Sequence, residues 1–124
     1  LKIIEKFIEE KHKSLDLVSI PTKRLEEGIA YSSRNEKLSK KQIQDFISFH
    51  KQTKSFLSSL EKSLDVKSAN LKASEFMISQ DIDKFDYFEL RNDTDLSFVG
   101  NVSQARLFYA IYKGKIRLID NLKV

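Results

Sequence analysis

Apolar and charged side chains follow a helical period in the first residues of the chain. In LKIIEKFI the apolar residues fall at positions 1, 4 and 8 and at 3 and 7, which is the spacing of one face of an amphipathic helix. This helix is expected to end before Leu15. The segment from Leu15 to Ile20 then reads as a short strand, which stops at Pro21 because proline cannot donate a hydrogen bond to a sheet ladder.

Residues 21–38 have no regular period and form a charged connection. After it, Ser39 and Gln42 have the spacing of a capping box, which predicts the start of a long helix. One face of this helix continues to about residue 64. Its members are Ile43, Phe46, Ile47, His50, Leu57, Leu60 and Leu64. A second, shorter helix is predicted over residues 67–79.

The period changes to two in the C-terminal third, which is typical of strands. Residues 85–90 are predicted to form one strand, and residues 106–112 and 116–119 form two more around a tight turn at Gly114. Helices followed by an antiparallel sheet of about three strands indicate the α+β class.

Composition narrows the class of protein. The 124 residues suffice for one domain, and no apolar run reaches the roughly 18 residues of a membrane span, nor is there a signal region. A soluble, cytoplasmic protein is expected.

The absence of cysteine excludes disulfides, thiolate metal sites and thiol nucleophiles. The net charge of +4 favours anionic ligands without choosing among them. Because Leu1 already lies inside a predicted helix, the chain is expected to be a piece of a longer protein.

Neither histidine nor aspartate patterns predict a metal site. His12 and His50 lack a second histidine or a carboxylate at zinc-ligand spacing, so structural or surface roles are predicted. The group of Asp81, Asp83 and Asp86 lacks the glycine and the closing glutamate of a calcium loop. Turn and capping roles are predicted for these three carboxylates.

Six basic residues could form a positive patch for nucleic acid or another polyanion. They are Lys37, Lys40, Lys41, Lys113, Lys115 and Arg117. Aromatic residues are not interleaved with them, as a single-strand stacking platform requires, and no groove-reading motif is present. A solvated charged face is the simpler interpretation, and a stand-alone polyanion-binding module is the alternative function.

The loop GIAYSSRN, Gly28 to Asn35, places two hydroxyls, a guanidinium and an amide ahead of a helix. Hydroxyls and guanidinium groups bind phosphate oxygens, and a helix N-terminus adds backbone N–H groups and a favourable dipole. The same residue types also cap turns. From the residues alone, a phosphate site and a capped turn are both open interpretations.

Two longer stretches resemble one enzyme family. LVSIPTKRLEEGIAYSSRNEKLS, Leu17 to Ser39, resembles the segment of pantothenate synthetases, also called pantoate–beta-alanine ligases, that reads xVPTxR…DGLAxSSRN. ARLFYAIYKGKIRLIDN, Ala105 to Asn121, is similar to the family's C-terminal RLIDN hairpin. The order of helices and strands between them also matches, so the resemblance covers essentially the whole chain.

The resemblance implies an ATP-dependent ligase of the nucleotidylyltransferase group. Enzymes of this family activate pantoate with ATP and Mg²⁺ to a pantoyl adenylate and release pyrophosphate, after which beta-alanine displaces AMP to give pantothenate. The implied ligands are therefore ATP with Mg²⁺, pantoate and beta-alanine. A cytoplasmic homodimer is implied for the full-length enzyme, with no nucleic-acid or membrane partner.

The resemblance also assigns site residues. Ser32, Ser33 and Arg34 are expected to bind the ATP phosphates and to act in catalysis, because the family's SSRN loop takes the part of the KMSKS loop of class I aminoacyl-tRNA synthetases. Tyr31 stands where the family has Leu or Met, and Lys23 falls where the family's main chain contacts the adenine. No side chain is expected to be a covalent nucleophile.

By the same resemblance, the chain is the C-terminal part of such a ligase. Residues 1–22 correspond to the end of a Rossmann-like nucleotide-binding domain, 23–38 to the linker and phosphate loop, and 39–124 to an α+β lid domain. The family's HxGH and GEKDxQQ motifs are not in the sequence. Two or three charge-assisted hydrogen bonds, each about 1.5 to 3 kcal/mol, do not outweigh association costs of about 4 to 15 kcal/mol. The chain alone is expected to bind ATP weakly and to be inactive.

Overall fold

Three strands in the C-terminal third form the sheet. The computed structural model describes residues 1–124 and places β1 at Lys84–Asn92, β2 at Ala105–Lys113 and β3 at Ile116–Lys123. The strands are antiparallel in the order β1-β2-β3, and Gly114, at φ +60°, lies in the tight turn between the last two. The predicted α+β class and the three-stranded antiparallel sheet are confirmed.

Three α-helices precede the sheet. α1 spans Lys2–Lys11, α2 spans Lys40–Ser59 and α3 spans Val66–Ile78. The predicted capping box is present at the start of α2, because Ser39 Oγ accepts the N–H of Gln42 while Gln42 Oε1 accepts the N–H of Ser39. None of the helices combines the length and apolarity that crossing a lipid bilayer requires.

α2 ends five residues earlier than the sequence pattern predicts. Leu60 is already extended, at φ −74° and ψ +131°, yet it is buried, and Leu64 packs against the same core from the following turn. Their helical spacing therefore arises because both side chains pack on the same core, and not because the residues belong to α2. Two 3₁₀ turns, Asn35–Lys37 and Val102–Gln104, complete the regular structure.

The core lies between α2, α3 and one face of the sheet. Side chains at alternate positions of β2 face the helices and are buried, as Leu107 and Ile111 show. Five aromatic rings, extending from the core to its partly buried edge, form a continuous cluster with neighbouring centroids 4.7 to 6.4 Å apart. They are Phe49, Phe56, Phe76, Phe88 and Tyr109. Edge-to-face and offset contacts of this kind add to the stability that apolar burial supplies.

The predicted strand from Leu15 to Ile20 is absent. Strand backbone needs a neighbour for its N–H and C=O groups, and the three strands of the sheet pair only with one another, so this segment has no regular structure. α1 is present as predicted but contributes no buried residue. The expected helix-strand remnant is therefore correct for the helix and wrong for the strand.

Candidate functional site

The residues before SSRN form a narrow antiparallel turn. The N–H of Tyr31 donates to the carbonyl of Lys23 at 2.8 Å, and Arg24 and Ala30 form an isolated β-bridge between the two arms. Gly28 closes the turn at φ +92°, in the left-handed region that favours glycine. The turn therefore holds Tyr31 next to Lys23, and the SSRN residues follow directly.

The SSRN residues are held by their backbone and by one buried amide. The Asn35 N–H donates to the Ser32 carbonyl at 2.9 Å, and Ser32 Oγ accepts the N–H of Arg34 at 3.2 Å. Asn35 is buried and donates through Nδ2 to the carbonyl of Ala30 at 3.0 Å. In contrast, the side chains of Ser33 and Arg34 are exposed. These hydrogen bonds fix the backbone of the loop and leave the side chains of Ser33 and Arg34 in solvent.

Arg34 differs from the other four arginines of the chain. Each of those four forms an ion pair with a carboxylate, in the pairs Arg24–Asp120, Arg91–Glu89, Arg106–Asp93 and Arg117–Asp86. Arg34 uses its backbone N–H within the loop, and its guanidinium has no hydrogen bond or ion pair. An exposed, unpaired guanidinium is free to bind a phosphate through two parallel N–H groups.

Lys23 and Tyr31 lie together beside the loop. The Lys23 ammonium is 5.6 Å from the centroid of the Tyr31 ring, within the range of a cation–π contact, and the tyrosine side chain is largely exposed. The carbonyl of Lys23 is occupied by Tyr31, whereas its N–H makes no backbone hydrogen bond. Of the five predicted ATP-binding residues, Lys23 and Tyr31 are in contact and Ser32 to Arg34 follow directly in the chain; all but the half-buried Ser32 are exposed.

Arg24 ties the base of this turn to strand β3. Its Nη1 and Nη2 donate to Asp120 at 2.7 and 3.1 Å, and the same guanidinium donates to the carbonyls of Gly28 at 2.9 Å and Asn121 at 3.0 Å. The Asp120 side chain is only 1% exposed. Hydrogen bonding to Asp120 raises the pKa of Arg24, which favours the charged guanidinium.

Two more polar side chains are buried near this ion pair. His50 lies under the turn, where its Nε2 is 3.1 Å from the position that a Cβ on Gly28 would occupy, and Tyr109 pairs with Asp120 across β2 and β3. Burial lowers the pKa of His50 and raises that of Tyr109. His50 Nδ1 and the Tyr109 hydroxyl have no hydrogen-bond partner within the protein.

The three candidate aspartates contact the β2–β3 hairpin, 26 to 32 residues away in the chain, so the predicted turn and capping roles in their own segment were wrong. Asp83 accepts the N–H of Gly114 at the hairpin turn, and Asp86 accepts from Arg117 at 2.7 Å. The backbone carbonyl of Asp81 accepts from the ammonium of Lys113. Nowhere in residues 1–124 do three His, Asp or Glu side chains meet in an arrangement that could hold a metal ion.

The six-residue basic patch is not assembled as the polyanion alternative requires. Lys113 is only 5% exposed, and its ammonium is bound to the Asp81 carbonyl. Arg117 is neutralised by Asp86. Two of the six cations are thus unavailable, and the structure does not support a polyanion-binding module.

The sequence analysis did not identify Arg24 or Asp120, although the sequence around Asp120 contains a signal of its role. Asp120 occupies an inward-facing position of β3 between Leu118 and Leu122, both buried. A carboxylate in an otherwise apolar, core-facing row requires a cationic partner. The sequence alone does not identify that partner, because Arg24 lies 96 residues away in the chain.

A model of the family described as pantoate-beta-alanine ligase matches residues 1–123. The chain belongs to this family. The match includes both stretches that carry the resemblance, and Arg24 and Asp120 join those stretches in the fold.

Curated members of the pantoate-beta-alanine ligase family match along nearly the whole chain. The pantothenate synthetase of Clostridium botulinum (strain Loch Maree / Type A3) is 32% identical over 125 residues, which are 98% of this chain and 44% of that protein. The pantothenate synthetase of Aquifex aeolicus (strain VF5) is 34% identical over 131 residues, covering 100% of this chain and 45% of that protein. The chain therefore spans less than half the length of these relatives.

Solved structures of the family share the fold. Pantothenate synthetase from Thermus thermophilus superposes with a TM-score of 0.79 at 24% identity, over 98% of this chain and 45% of that one. Pantoate-beta-alanine ligase from Francisella tularensis, described as complexed with Beta-gamma ATP and Beta-alanine, gives a TM-score of 0.58 at 24% identity, over 98% of this chain and 38% of that one.

Proposed function

We propose that the chain acts as the C-terminal part of an ATP-dependent pantoate–beta-alanine ligase and supplies its phosphate-binding loop. The unpaired guanidinium of Arg34 is the observation that carries this proposal. Four arginines are neutralised by carboxylates, whereas Arg34 is exposed on a loop whose backbone is fixed by Asn35. Family membership and the ATP ligand named for the Francisella tularensis enzyme support ATP as the anion, and Mg²⁺ is part of the proposal.

In the proposed reaction, a carboxylate oxygen of pantoate attacks the α-phosphorus of ATP. The bond from this phosphorus to the bridging oxygen breaks, and pyrophosphate leaves with the electron pair. Arg34 and the hydroxyls of Ser32 and Ser33 donate hydrogen bonds to phosphate oxygens and stabilise the charge that builds up on the leaving group. The amine of beta-alanine then attacks the pantoyl carbonyl, so that AMP leaves and pantothenate forms.

Lys23 and Tyr31 are proposed to hold the nucleotide beside the phosphates. The free N–H of Lys23 is an available donor for an adenine nitrogen, and the exposed Tyr31 ring offers an apolar surface next to it. Because the substrates themselves supply both attacking groups, the side chains of this chain act as donors and not as nucleophiles.

The division of the chain follows from the same proposal. Residues 1–22 would complete a nucleotide-binding domain, residues 23–38 carry the phosphate loop, and residues 39–124 form a lid over the reacting groups. The full-length enzyme is proposed to be a cytoplasmic homodimer, as the family resemblance implies. With only the lid and its loop, the chain alone should bind ATP at millimolar affinity or weaker, since a few exposed hydrogen bonds barely offset the cost of association.

Pyrophosphate release with ATP, Mg²⁺ and pantoate tests this function in the full-length ligase that carries the chain. Arg34→Ala is expected to lower the rate by about 10² to 10³, the usual effect of removing one transition-state donor. Lys37→Ala removes an exposed cation three residues away and should change the rate by less than about twofold, because exposed charges act weakly through solvent. Equal effects of the two variants would contradict a specific phosphate contact.

The isolated chain provides the second arm of the test. It should release no pyrophosphate above the background without enzyme. Pantoate-dependent turnover by the purified 124-residue chain would refute the proposal that it contributes only one part of the site.

A further inference from the structure

We propose that Arg24 and Asp120 are positioning residues that fix the phosphate loop to the sheet, so that loop and sheet move as one body. This inference rests on the proposed function of the SSRN loop. Neither residue touches the substrates in this proposal. Both act by holding the turn that carries Ser32, Ser33 and Arg34 in one place and orientation.

The Arg24 side chain connects three parts of the backbone. Arg24 lies in the first arm of the turn, Gly28 at its tip, and Asp120 and Asn121 in β3. One guanidinium donates to both carboxylate oxygens of Asp120 and to the carbonyls of Gly28 and Asn121, all at 2.7 to 3.1 Å. A planar fork can satisfy these four acceptors at once, whereas a lysine ammonium has three donors and no fixed plane.

The buried side of the ion pair makes it rigid. Asp120 also accepts the N–H of Asn121 at 2.8 Å, so its carboxylate is held from two directions inside the core. His50 packs against the underside of the turn at Gly28. A shift of the turn relative to β3 would therefore leave a buried carboxylate without its partner, which is strongly unfavourable.

The loop has no comparable attachment to the residues that precede it. All hydrogen bonds and ion pairs of residues 1–22 stay within that segment, as in Lys2 to Glu5 and His12 to Ile8. The turn, by contrast, is bound to β3 through Arg24 and to its own arms through backbone bonds. Loop and sheet should therefore move together, so any closure over a nucleotide would carry the loop donors with the sheet.

Arg24→Lys tests this role in the full-length ligase, with Arg106→Lys as its matched control. Arg106, in β2, also forms a two-bond ion pair, donating to Asp93 at 2.7 and 3.1 Å, and it donates to the side chain of Asn121 at 2.8 Å, but it does not touch the turn. Both substitutions keep the positive charge but remove the planar guanidinium, which donates two parallel hydrogen bonds to the carboxylate. Arg24→Lys should lower kcat for pyrophosphate release by about 10- to 100-fold, the effect of misplacing catalytic donors by about 1 Å. Arg106→Lys should leave kcat within about twofold.

Two further readouts separate positioning from mere stability. The KM for pantoate should stay within about twofold in Arg24→Lys, since the loop binds ATP and not pantoate. Urea unfolding of both variants checks that the assayed protein is folded, and Asp120→Asn gives a second, nearly isosteric disruption of the same pair. We expect Asp120→Asn to reproduce the kcat loss of Arg24→Lys in the absence of denaturant, where the protein remains folded.

The outcomes also distinguish this inference from the proposed function. If Arg34→Ala abolishes pyrophosphate release while folded Arg24→Lys and Asp120→Asn keep normal kcat, the phosphate loop stands and the positioning role is refuted. If Arg24→Lys and Arg106→Lys lose activity equally, the effect is general to the sheet and the positioning role is again refuted. Normal release by Arg34→Ala would overturn the proposed function itself.

Discussion

Gly28, at the tip of the turn, is subject to two structural constraints. Its φ of +92° lies in the left-handed region, and a Cβ at this position would stand 3.1 Å from Nε2 of the buried His50. Backbone strain alone costs a non-glycine residue about 1 to 2 kcal/mol in this region, and the crowded imidazole adds to it. Gly28 is therefore expected to be among the least replaceable residues of the turn.

Gly28→Ala should lower the free energy of unfolding by more than Gly114→Ala does. Gly114 also has a positive φ, of +60°, but a Cβ there would meet only Nε2 of Gln42, the end of a half-buried side chain that has more room to adjust than the fully buried His50, although its Oε1 caps α2. Gly114→Ala should thus cost about 1 to 2 kcal/mol of strain, and Gly28→Ala measurably more. Urea unfolding of both variants checks this, and equal costs would mean that His50 does not constrain the turn.

His50 makes the stability of the chain depend on pH near neutrality. Burial lowers the pKa of His50 below its ordinary value of about 6.5, and Arg24 and Lys54 add to this shift while Asp120 opposes it. Between the two pKa values the unfolded chain binds the proton and the folded chain does not. The contribution of neutral His50 is therefore complete above about pH 6.5 and is lost as the pH falls from there toward the folded pKa.

Unfolding free energies measured from about pH 7.5 down to pH 5 should fall more steeply in the wild type than in His50→Gln. The four aspartates with shifted pKa values do not interfere in this window, because each pKa is lowered from an ordinary value of 3.8. They are Asp65, Asp86, Asp93 and Asp95. Parallel pH profiles for the two proteins would show that His50 is not the group responsible.

Among the elements, α1 and the segment after it lie along one side of an open groove, whose other side includes Leu96, Arg106 and Phe108. None of residues 1–23 is buried, and no hydrogen bond or ion pair joins residues 1–22 to the remainder. Apolar side chains such as Ile3 and Phe7 are largely exposed. The stability of the chain should therefore reside in residues 23–124.

Removal of residues 1–21 should leave the unfolding free energy unchanged to within about 0.5 kcal/mol, the usual size of effects away from the core. The trimmed chain should also self-associate less, because it loses eight of the fifteen large apolar side chains that are exposed. Urea unfolding and sedimentation of both forms at equal concentration measure this. A loss of cooperative unfolding in the trimmed chain would show that α1 supports the fold.

Local periodicity predicted the helices and the sheet, but it could not predict which distant segments contact one another in the fold. Ser39 and the face that begins at Ile43 were enough to place the start of α2, because caps and amphipathic faces are local signals. The segment at Leu15 has strand-like side chains, but a strand exists only where a neighbour pairs with it. For the site, the assignment of the SSRN residues rests on the resemblance and stays a prediction, while the link from Arg24 to Asp120 depends on two distant segments meeting in the fold.

For the molecule as a whole, family membership and partial coverage have to be considered together. The chain matches the pantoate-beta-alanine ligase family over residues 1–123 and spans about 45% of the relatives' length. It carries a stable sheet and helices, a loop with one unpaired guanidinium, and an N-terminal segment that contributes nothing buried. This combination is consistent with the proposed role of the chain as a lid that brings phosphate donors to a nucleotide.

Pantoate-dependent exchange of labelled pyrophosphate into ATP tests the proposed function most directly. In the full-length ligase, exchange should require pantoate and proceed without beta-alanine, because the adenylate forms and reverses before the amine attacks. Arg34→Ala should reduce this exchange by about 10² or more. Exchange that needs beta-alanine, or that Arg34→Ala leaves unchanged, would contradict a pantoyl adenylate stabilised by the SSRN loop.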